Sequence, residues 1–399
     1  MNEQLSNALV SIQEQEAQES EKPPSTRPRP ARPWRVAVIA NVRGQSAPTD
    51  HQAEDAGAEF DKPETIQAIQ AAIESDGHST IFLQADASLP GELQRFYPDI
   101  CFNIAEGLGG DAREAQVPAL LEMMHIPYTA SRVLANALGL DKTMTKRIWR
   151  EAGLPTAAFQ QFEQGDEPLD PVLRYPLFVK PAREGTGMGM GEHSIVHTEE
   201  ELRKQVQWVL NNYRQPALVE SYLPGREFTV AVLGRPDACS YSRKPEAYEP
   251  DGFVRFPVLE VDNNGTATPG VYGYLTKTLH TGEKGVPRFL CPAPIPQRLS
   301  RQLQELAIKA HKAIGALDVS RVDMRLDNAG NPRLIEINTL PGLTPNFSDL
   351  CVIANAHGWT YNELILEILI LGASRFGMLQ AVEPIALPKI KEYAQISRK

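Results

Sequence analysis

Apolar positions in the first part of the chain fall into short unbroken runs separated by stretches of helical period. Arg35-Val-Ala-Val-Ile-Ala40, bounded by Pro33 and Gly44, is continuous enough for a buried strand. Pro63 to Gly77 predicts a helix with Ile66, Ile69 and Ile73 on one face and a glycine just past its end. Further strand-like runs fall at Thr80–Leu83 and Asp99–Ile104. This alternation of strand and helix implies a parallel, Rossmann-like sheet.

From Asp141 the pattern changes. A helix over Lys142–Ala152 is stopped by Gly153 and Pro155. After it come the strand-like Pro176-Leu-Phe-Val-Lys-Pro181, a glycine-rich loop and a strand at Ser194–His197. Thr198 with Glu201 three residues on reads as a capping box, opening a helix to about Asn211. Strands are predicted at Ala217–Leu223 and Glu227–Leu233, and a helix over Gln297–Ala316 with Leu303, Leu306, Ala310, Ile314 and Leu317 inward. Residues 250–290, rich in Gly, Thr and Pro, read as loops facing a substrate. No internal repeat is visible.

Residues 1–21 hold five glutamates and no lysine or arginine, whereas residues 22–35 hold five prolines and five basic residues. That switch reads as a disordered leader followed by a stiff linker, with a basic docking arm as the alternative. The whole chain of 399 residues carries a formal charge of −10, which argues against nucleic acid as a partner. The four cysteines are scattered without metal-ligand spacing, and Cys101 reads as a small core residue. The longest apolar stretch, Leu364 to Leu371, carries Glu367 and is too short to span a bilayer. A cytoplasmic protein with no membrane partner is therefore expected.

The sharpest chemistry lies in Ser320-Arg-Val-Asp-Met-Arg-Leu-Asp-Asn-Ala-Gly-Asn-Pro-Arg-Leu-Ile-Glu-Ile-Asn338. Both arms alternate with period two, and Asn328-Ala-Gly-Asn331 supplies turn residues. A turn centred there sets Asp327 opposite Pro332, Arg325 opposite Leu334, Asp323 opposite Glu336 and Arg321 opposite Asn338. Leu334, Glu336 and Asn338 then share one face, and Ile335 and Ile337 the other. Two facing carboxylates repel unless a cation lies between them. Two carboxylates and an amide are hard oxygen ligands that suit Mg²⁺. The alternative is a solvated charged strand face.

Lys180 ends its strand just before Pro-Ala-Arg-Glu-Gly185-Thr-Gly187-Met-Gly189-Met-Gly191, whose glycines allow close backbone approach to a phosphate. This is neither a Walker loop nor a dinucleotide fingerprint. In Leu218-Val-Glu220-Ser-Tyr-Leu223-Pro-Gly225-Arg-Glu227, a strand ends in one carboxylate and the next opens with another. Such a hinge can offer a backbone edge to a purine and Glu227 to ribose; a plain β-turn is the alternative.

Taken in order, these segments resemble the ATP-grasp superfamily and, within it, the D-alanine–D-alanine ligases. The resemblance runs from about Trp34 to Phe376. It is strongest in Ile126–Lys142, Val179–Gly185, Glu220–Thr229, Arg321-Val-Asp323 and Leu334–Gly342. It implies a leader and linker (1–33), a Rossmann-like domain (34–140), a two-subdomain ATP-grasp domain (141–376) and a tail (377–399). It further implies that Lys142 and Lys180 contact ATP phosphates, Glu220 and the Leu223 backbone the adenine, and Glu227 the ribose. Lys277 falls among the ATP contacts. Asp323, Glu336 and Asn338 would hold two Mg²⁺ (or Mn²⁺) ions, while Arg321 and the Gly342 backbone would steady the acyl oxyanion. Lys180 would also serve the phosphoryl transfer, and Ser348 would touch substrate. Family members are commonly homodimers, although no dimer face is legible here.

The departures concern the amino-acid pocket. Asn41-Val-Arg-Gly-Gln-Ser-Ala-Pro-Thr-Asp50 replaces the family's glycine-serine-acid signature. Glu106-Gly-Leu-Gly-Gly-Asp-Ala-Arg113-Glu114 stands where a histidine and a Gly-Glu-Asp-Gly run are usual, and Thr278 follows Lys277 in place of an aromatic. Glu106 or Glu114 is therefore expected to bind the amine of the first substrate, with Arg113 tethering the acids or meeting a second carboxylate. The alternative is that these charges simply pair with one another. Overall the chain reads as a ligase joining two amino acids through an acyl phosphate. Ligation of other amino acids in specialised metabolism, and a non-catalytic ATP-binding regulator, are the other readings.

Overall fold

The computed structural model of the protein describes residues 32–45, 53–263 and 287–379, with residues 30, 271 and 273 in addition. β1 (Arg35–Ala40), α1 (Pro63–Glu74), β2 (Ser79–Gln84), α2 (Leu89–Phe96) and β3 (Ile100–Asn103) alternate along the chain. β1 pairs in parallel with both β2 and β3, so it is central and apolar on both faces. Val36, Val38 and Ala40 pack with Ile66, Ile69 and Ile73 of α1, while Ala37 and Ile39 pack with Leu93, Leu121 and Tyr128 on the other side. The expected parallel sheet and the inward face of α1 are both present.

Three helices follow: α3 (Gln116–Met123), α4 (Val133–Leu140) and α5 (Lys142–Glu151). Asp141 caps α5 by accepting from Met144 N–H at 2.9 Å. Next come β4 (Phe159–Phe162), β5 (Leu177–Pro181), β6 (Ile195–Val196), α6 (Glu199–Tyr213) and β7 (Ala217–Ser221). They form an antiparallel sheet in the order β4-β7-β5-β6, backed by α6. The strand expected at Ser194–His197 is only β6, preceded by a 3₁₀ turn at Glu192–Ser194. The capping box is half formed. Thr198 Oγ1 accepts from Glu201 N–H, but the Glu201 carboxylate reaches back to His197 N–H at 2.7 Å, because β6 leaves that donor free.

The second antiparallel sheet has the order β10-β9-β8-β11-β12. It contains β8 (Glu227–Leu233), β9 (Leu259–Asp262), β10 (Arg288–Leu290), β11 (Val319–Leu326) and β12 (Pro332–Asn338), with α7 (Gln297–Ala313) before β11. Leu303, Leu306 and Ala310 of α7 pack on Val230, Val322, Met324 and Ile337. α8 (Asp349–Ala356) and α9 (Tyr361–Arg375) close the described chain. The apolar stretch Leu364 to Leu371 lies in α9 and is buried in one cluster with β1 and α1, so residues late in the chain complete the first core. Among the described residues no helix is long and apolar enough to cross a membrane.

Charged groups inside this core are partnered. Glu367 accepts from Tyr248 Oη–H at 2.7 Å and Arg243 N–H at 3.2 Å, and burial pushes its carboxyl up from the ordinary value. Asp318, fully buried before β11, accepts from Arg375 Nε (3.1 Å), Arg375 NH2 (2.9 Å) and Ala130 N–H (3.1 Å), with Arg235 NH1 at 3.5 Å. It thus joins α9, the second sheet and the link between α3 and α4. Removing the carboxylate leaves the Arg375 guanidinium without its counter-ion, while Arg235 keeps Asp237 at 2.5 Å. Asp318→Ala is expected to lower unfolding free energy by about 3–5 kcal/mol, read as a shifted urea midpoint; an unchanged midpoint would show that the node contributes nothing.

Candidate active site

The hairpin of β11 and β12 has the expected register where it carries the ligand types. Arg321 faces Asn338, Val322 faces Ile337 and Asp323 faces Glu336. Beyond that the register shifts: Met324 pairs with Leu334, Arg325 with Arg333 and Leu326 with Pro332. The expected pairings of Arg325 with Leu334 and Asp327 with Pro332 are therefore wrong. So is the expected sharing of a face by Leu334 and Glu336. Ile335 is an extra residue, a β-bulge, and Asp327 instead closes the turn through Ala329 and Asn331 N–H, both at 2.9 Å. The bulge buries Leu334 beside Ile337 and turns Ile335 toward the cavity shared with Phe178, Met190 and Lys180.

Both facing carboxylates are held by cations. Asp323 accepts from Arg321 Nε (3.2 Å) and NH2 (3.0 Å) and from Thr229 Oγ1–H (2.8 Å). Glu336 has Lys142 Nζ at 3.4 Å. Asn338 Oδ1 accepts from Leu340 N–H at 2.9 Å and retains a second lone pair. Arg321 also lies 3.6 Å from Asp349, in the first turn of α8. Burial opposes the Arg321 charge, but Asp323 and Asp349 outweigh it and hold the guanidinium firmly protonated. Among the described residues no three His, Cys, Asp or Glu side chains converge as a metal site; the candidate set is two carboxylates and an amide.

Lys180, at the inner end of β5, and Lys146, one turn after Lys142 on α5, straddle Glu220 of β7. The distances are 2.8 Å from Lys180 Nζ to Oε1 and 2.9 Å from Lys146 Nζ to Oε2. Burial works against all three charges. The two lysines nonetheless hold the Glu220 carboxyl down to about 2, and Glu220 with Glu336 raises Lys180. For Lys146 burial prevails and its pKa is lowered. Both Glu220 oxygens meet lysines, and the residue also lines the cavity beside them.

The cavity beside this cluster is lined by Phe178, Lys180, Met190, Tyr222, Leu223, Glu227 and Ile335 among others. Phe178 and Tyr222 stack at 6.5 Å, with the Arg325 guanidinium 5.3 Å over the Tyr222 ring. Glu227 accepts from Asn263 Nδ2 at 3.2 Å and lies 3.9 Å from Arg325 Nε. The glycine-rich loop packs over one end. Gly189, at φ +70°, donates its N–H to Asp55 at 2.9 Å, and a Cβ there would strike Pro181 at 2.5 Å. Lys277 and Thr278 lie outside the described residues.

Glu106 and Glu114 stand at the N-terminal side of this site, where Arg113 is bound elsewhere. Its guanidinium pairs with Glu59 (3.0 Å) and Glu184 (3.1 Å) and donates to Arg183 O (2.9 Å). It therefore ties the loop before α1 to the glycine-rich loop. Burial pushes the Glu106 carboxyl well up, reinforced by Glu114, Glu59 and Asp61; burial likewise brings Glu114 and Asp61 to about 7. On the opposite side Ser348 Oγ accepts from Thr344 N–H at 3.0 Å and would lie 2.9 Å from any Cβ at Gly342. Thr344 Oγ1 meets Thr65 Oγ1 of α1 at 2.8 Å, which joins this loop to the first sheet.

Lys146, Glu59 and Asp61 are the site residues that sequence reasoning missed. The spacing of Lys142 and Lys146, four residues apart on a helix capped by Asp141, is a signal that puts both lysines on one face. No local pattern marks Glu59 or Asp61, which reach the site through the fold.

A protein-family model described as the D-Ala–D-Ala ligase C-terminus matches residues 148–370. A D-alanine–D-alanine ligase of Syntrophotalea carbinolica is 33% identical over 78% of this chain and 90% of its own length. One of Saccharophagus degradans is 35% identical over 76% and 86%. An uncharacterised protein of Sinorhizobium fredii is 33% identical over 77% and 87%. In fold the chain is similar to the crystal structure of D-alanine–D-alanine ligase from Bacillus anthracis complexed with ATP. That similarity has a TM-score of 0.63 at 20% identity, covering 86% of this chain and 98% of that one. The chain belongs to the D-alanine–D-alanine ligase family, ATP-dependent ligases that form C–N bonds.

Proposed function

We propose that the protein activates the carboxylate of one amino acid as an acyl phosphate and joins it to the amine of a second, making D-alanyl-D-alanine or a closely related dipeptide. The observation that carries this reading is Asp323 set opposite Glu336, with Lys142 against Glu336 and Lys180 one salt bridge away at Glu220. Asp323, Glu336 and Asn338 are hard oxygen donors that fit two Mg²⁺ (or Mn²⁺) ions, which when bound would offset phosphate charge. Lys142 and Lys180 bind the phosphates of ATP, since the Glu336 and Glu220 carboxylates beside them can give way to an anionic phosphate, while Lys142 also donates to the Glu184 carbonyl. The Leu223 backbone borders the adenine slot between Phe178, Tyr222 and Ile335, and Glu227 accepts from the ribose.

The substrate carboxylate attacks the γ-phosphorus, ADP leaves, and the amine of the second amino acid then displaces phosphate from the acyl carbon with loss of one proton. Arg321 and the Gly342 backbone donate to the oxyanion of that second step. Ser348 shapes the pocket through the loop it pins. The boundary at residues 140 and 141 separates the Rossmann-like domain from the ATP-grasp domain, and the protein works in the cytoplasm on cell-wall precursors. The same chemistry on other amino acids is a second reading, supported by the rebuilt acidic pocket. A non-catalytic role fits poorly with the assembled Arg321, Asp323 and Glu336. Phosphate release with ATP and Mg²⁺ against a panel of D- and L-amino acids, with the product mass, tests the reading; no amino acid accelerating release would refute it.

Three substitutions probe the parts separately. Glu336→Gln keeps the shape of the site and removes charge, and is expected to lower turnover by roughly 100-fold or more while nucleotide binding changes less. Wild-type phosphate release would rule Glu336 out as a ligand.

The amine of the first substrate needs a desolvated counter-charge, and Glu106 and Glu114 supply one. Glu106→Gln or Glu114→Gln is expected to raise KM for that amino acid by roughly tenfold or more, with KM for ATP little changed. Unchanged amino-acid constants in both variants would place the pocket elsewhere.

A further inference from the structure

We propose that Lys146 is a positioning residue for the ligase reaction, holding the bulge at Leu334 and the Glu220 carboxylate together and so setting where Glu336 stands relative to Lys180. The inference rests on the reading of Glu336 as a metal-facing residue.

Lys146 is completely buried, and its ammonium meets three groups: Thr156 Oγ1 at 2.8 Å, Leu334 O at 3.2 Å and Glu220 Oε2 at 2.9 Å. An ammonium in such a place is unfavourable unless each donor is used. The three partners belong to different parts of the site. Glu220 is on the four-stranded sheet, Leu334 is on the five-stranded sheet, and Thr156 lies in the link between α5 and β4. One side chain therefore spans both nucleotide-facing sheets.

The bulge explains why the contact at Leu334 matters. Leu334 donates its N–H to Pro155 O at 2.9 Å, and its carbonyl accepts from Thr156 Oγ1 (2.8 Å) as well as from Lys146. The backbone beside the extra residue is thus satisfied by the α5–β4 link and by Lys146. Lys142, one turn earlier on the same face of α5, meets Glu336. The helix grips the strand on both sides of Ile335, at Leu334 and at Glu336. Released from that grip, β12 can continue the pairing of the turn end (Leu326 with Pro332, Met324 with Leu334) without the bulge, which sets Glu336 opposite Val322 and off the face it shares with Asp323.

Glu220 supplies the second half of the argument. Each of its oxygens meets one lysine. When Lys180 turns to an anionic phosphate, Lys146 remains as the counter-charge that keeps the buried carboxylate ionised and in place.

The test compares K146M, T156V and E336Q with the wild type on the folded fraction. It measures kcat, KM for ATP and the Mg²⁺ concentration giving half-maximal rate. K146M is expected to lower kcat and raise the half-maximal Mg²⁺ concentration, each by about 10–100-fold, with KM for ATP changed far less. T156V removes one hydroxyl from the same cluster without altering charge and is expected to move both quantities in the same direction by less. Wild-type kcat and Mg²⁺ dependence in folded K146M would make Lys146 merely structural and overturn the proposal. A rise in KM for ATP alone would overturn it too, because Lys146 would then act on the nucleotide. If K146M does not fold, T156V decides: unchanged kcat and Mg²⁺ dependence overturn the proposal. E336Q separates the two readings. An active E336Q sinks the metal-facing role of Glu336, whereas an inactive E336Q beside normal K146M and T156V sinks only the role of Lys146.

Discussion

Two carboxylates facing each other across adjacent strands repel, and much of this site is arranged around that repulsion. Asp323 and Glu336 oppose one another on β11 and β12. Arg321 neutralises the first and Lys142 approaches the second. Glu220 in turn is needed by the buried Lys146 and Lys180, whose charges would otherwise be uncompensated. The result is an alternating lattice of acids and bases running from α8 to β5. Each member depends on its neighbours for its counter-charge.

The N-terminal side has the opposite balance. Arg113 is shared by Glu59 and Glu184, while burial raises the proton affinity of Asp61, Glu106 and Glu114, that of Glu106 being raised further by Glu114, Glu59 and Asp61. The first sheet is locked to the rest by α9, whose apolar face packs with β1 and α1, and by Thr65 against Thr344. The Gly342–Ser348 loop is thereby held against α1.

Much of the site was legible because β-strand periodicity is local. The alternation around Asp323 and Glu336 and the turn residues between them gave the facing pair and the Arg321–Asn338 register. The same reasoning failed two residues further along, since a bulge at Ile335 has no signature in alternation alone. What stabilises the bulge is Pro155, Thr156 and Lys146, all distant in sequence. Glu220 was legible as a site residue, but its commitment to two lysines was not, because Lys146 is brought there by the packing of α5.

By itself the sequence determined the parallel first sheet, the inward faces of α1 and α7, and the facing of Asp323 and Glu336 in the hairpin. These follow from spacings of two and 3.6 residues, which neighbouring positions alone enforce. Only the tertiary structure decided which charges meet: Arg113 with Glu59 and Glu184, Lys146 with Glu220, and Asp318 with Arg235 and Arg375. Partners such as Arg113 and Glu59 lie 54 residues apart, and Arg235 and Asp318 lie 83 apart. Buried ions take whichever counter-charge the fold brings within reach, and no local pattern records that choice.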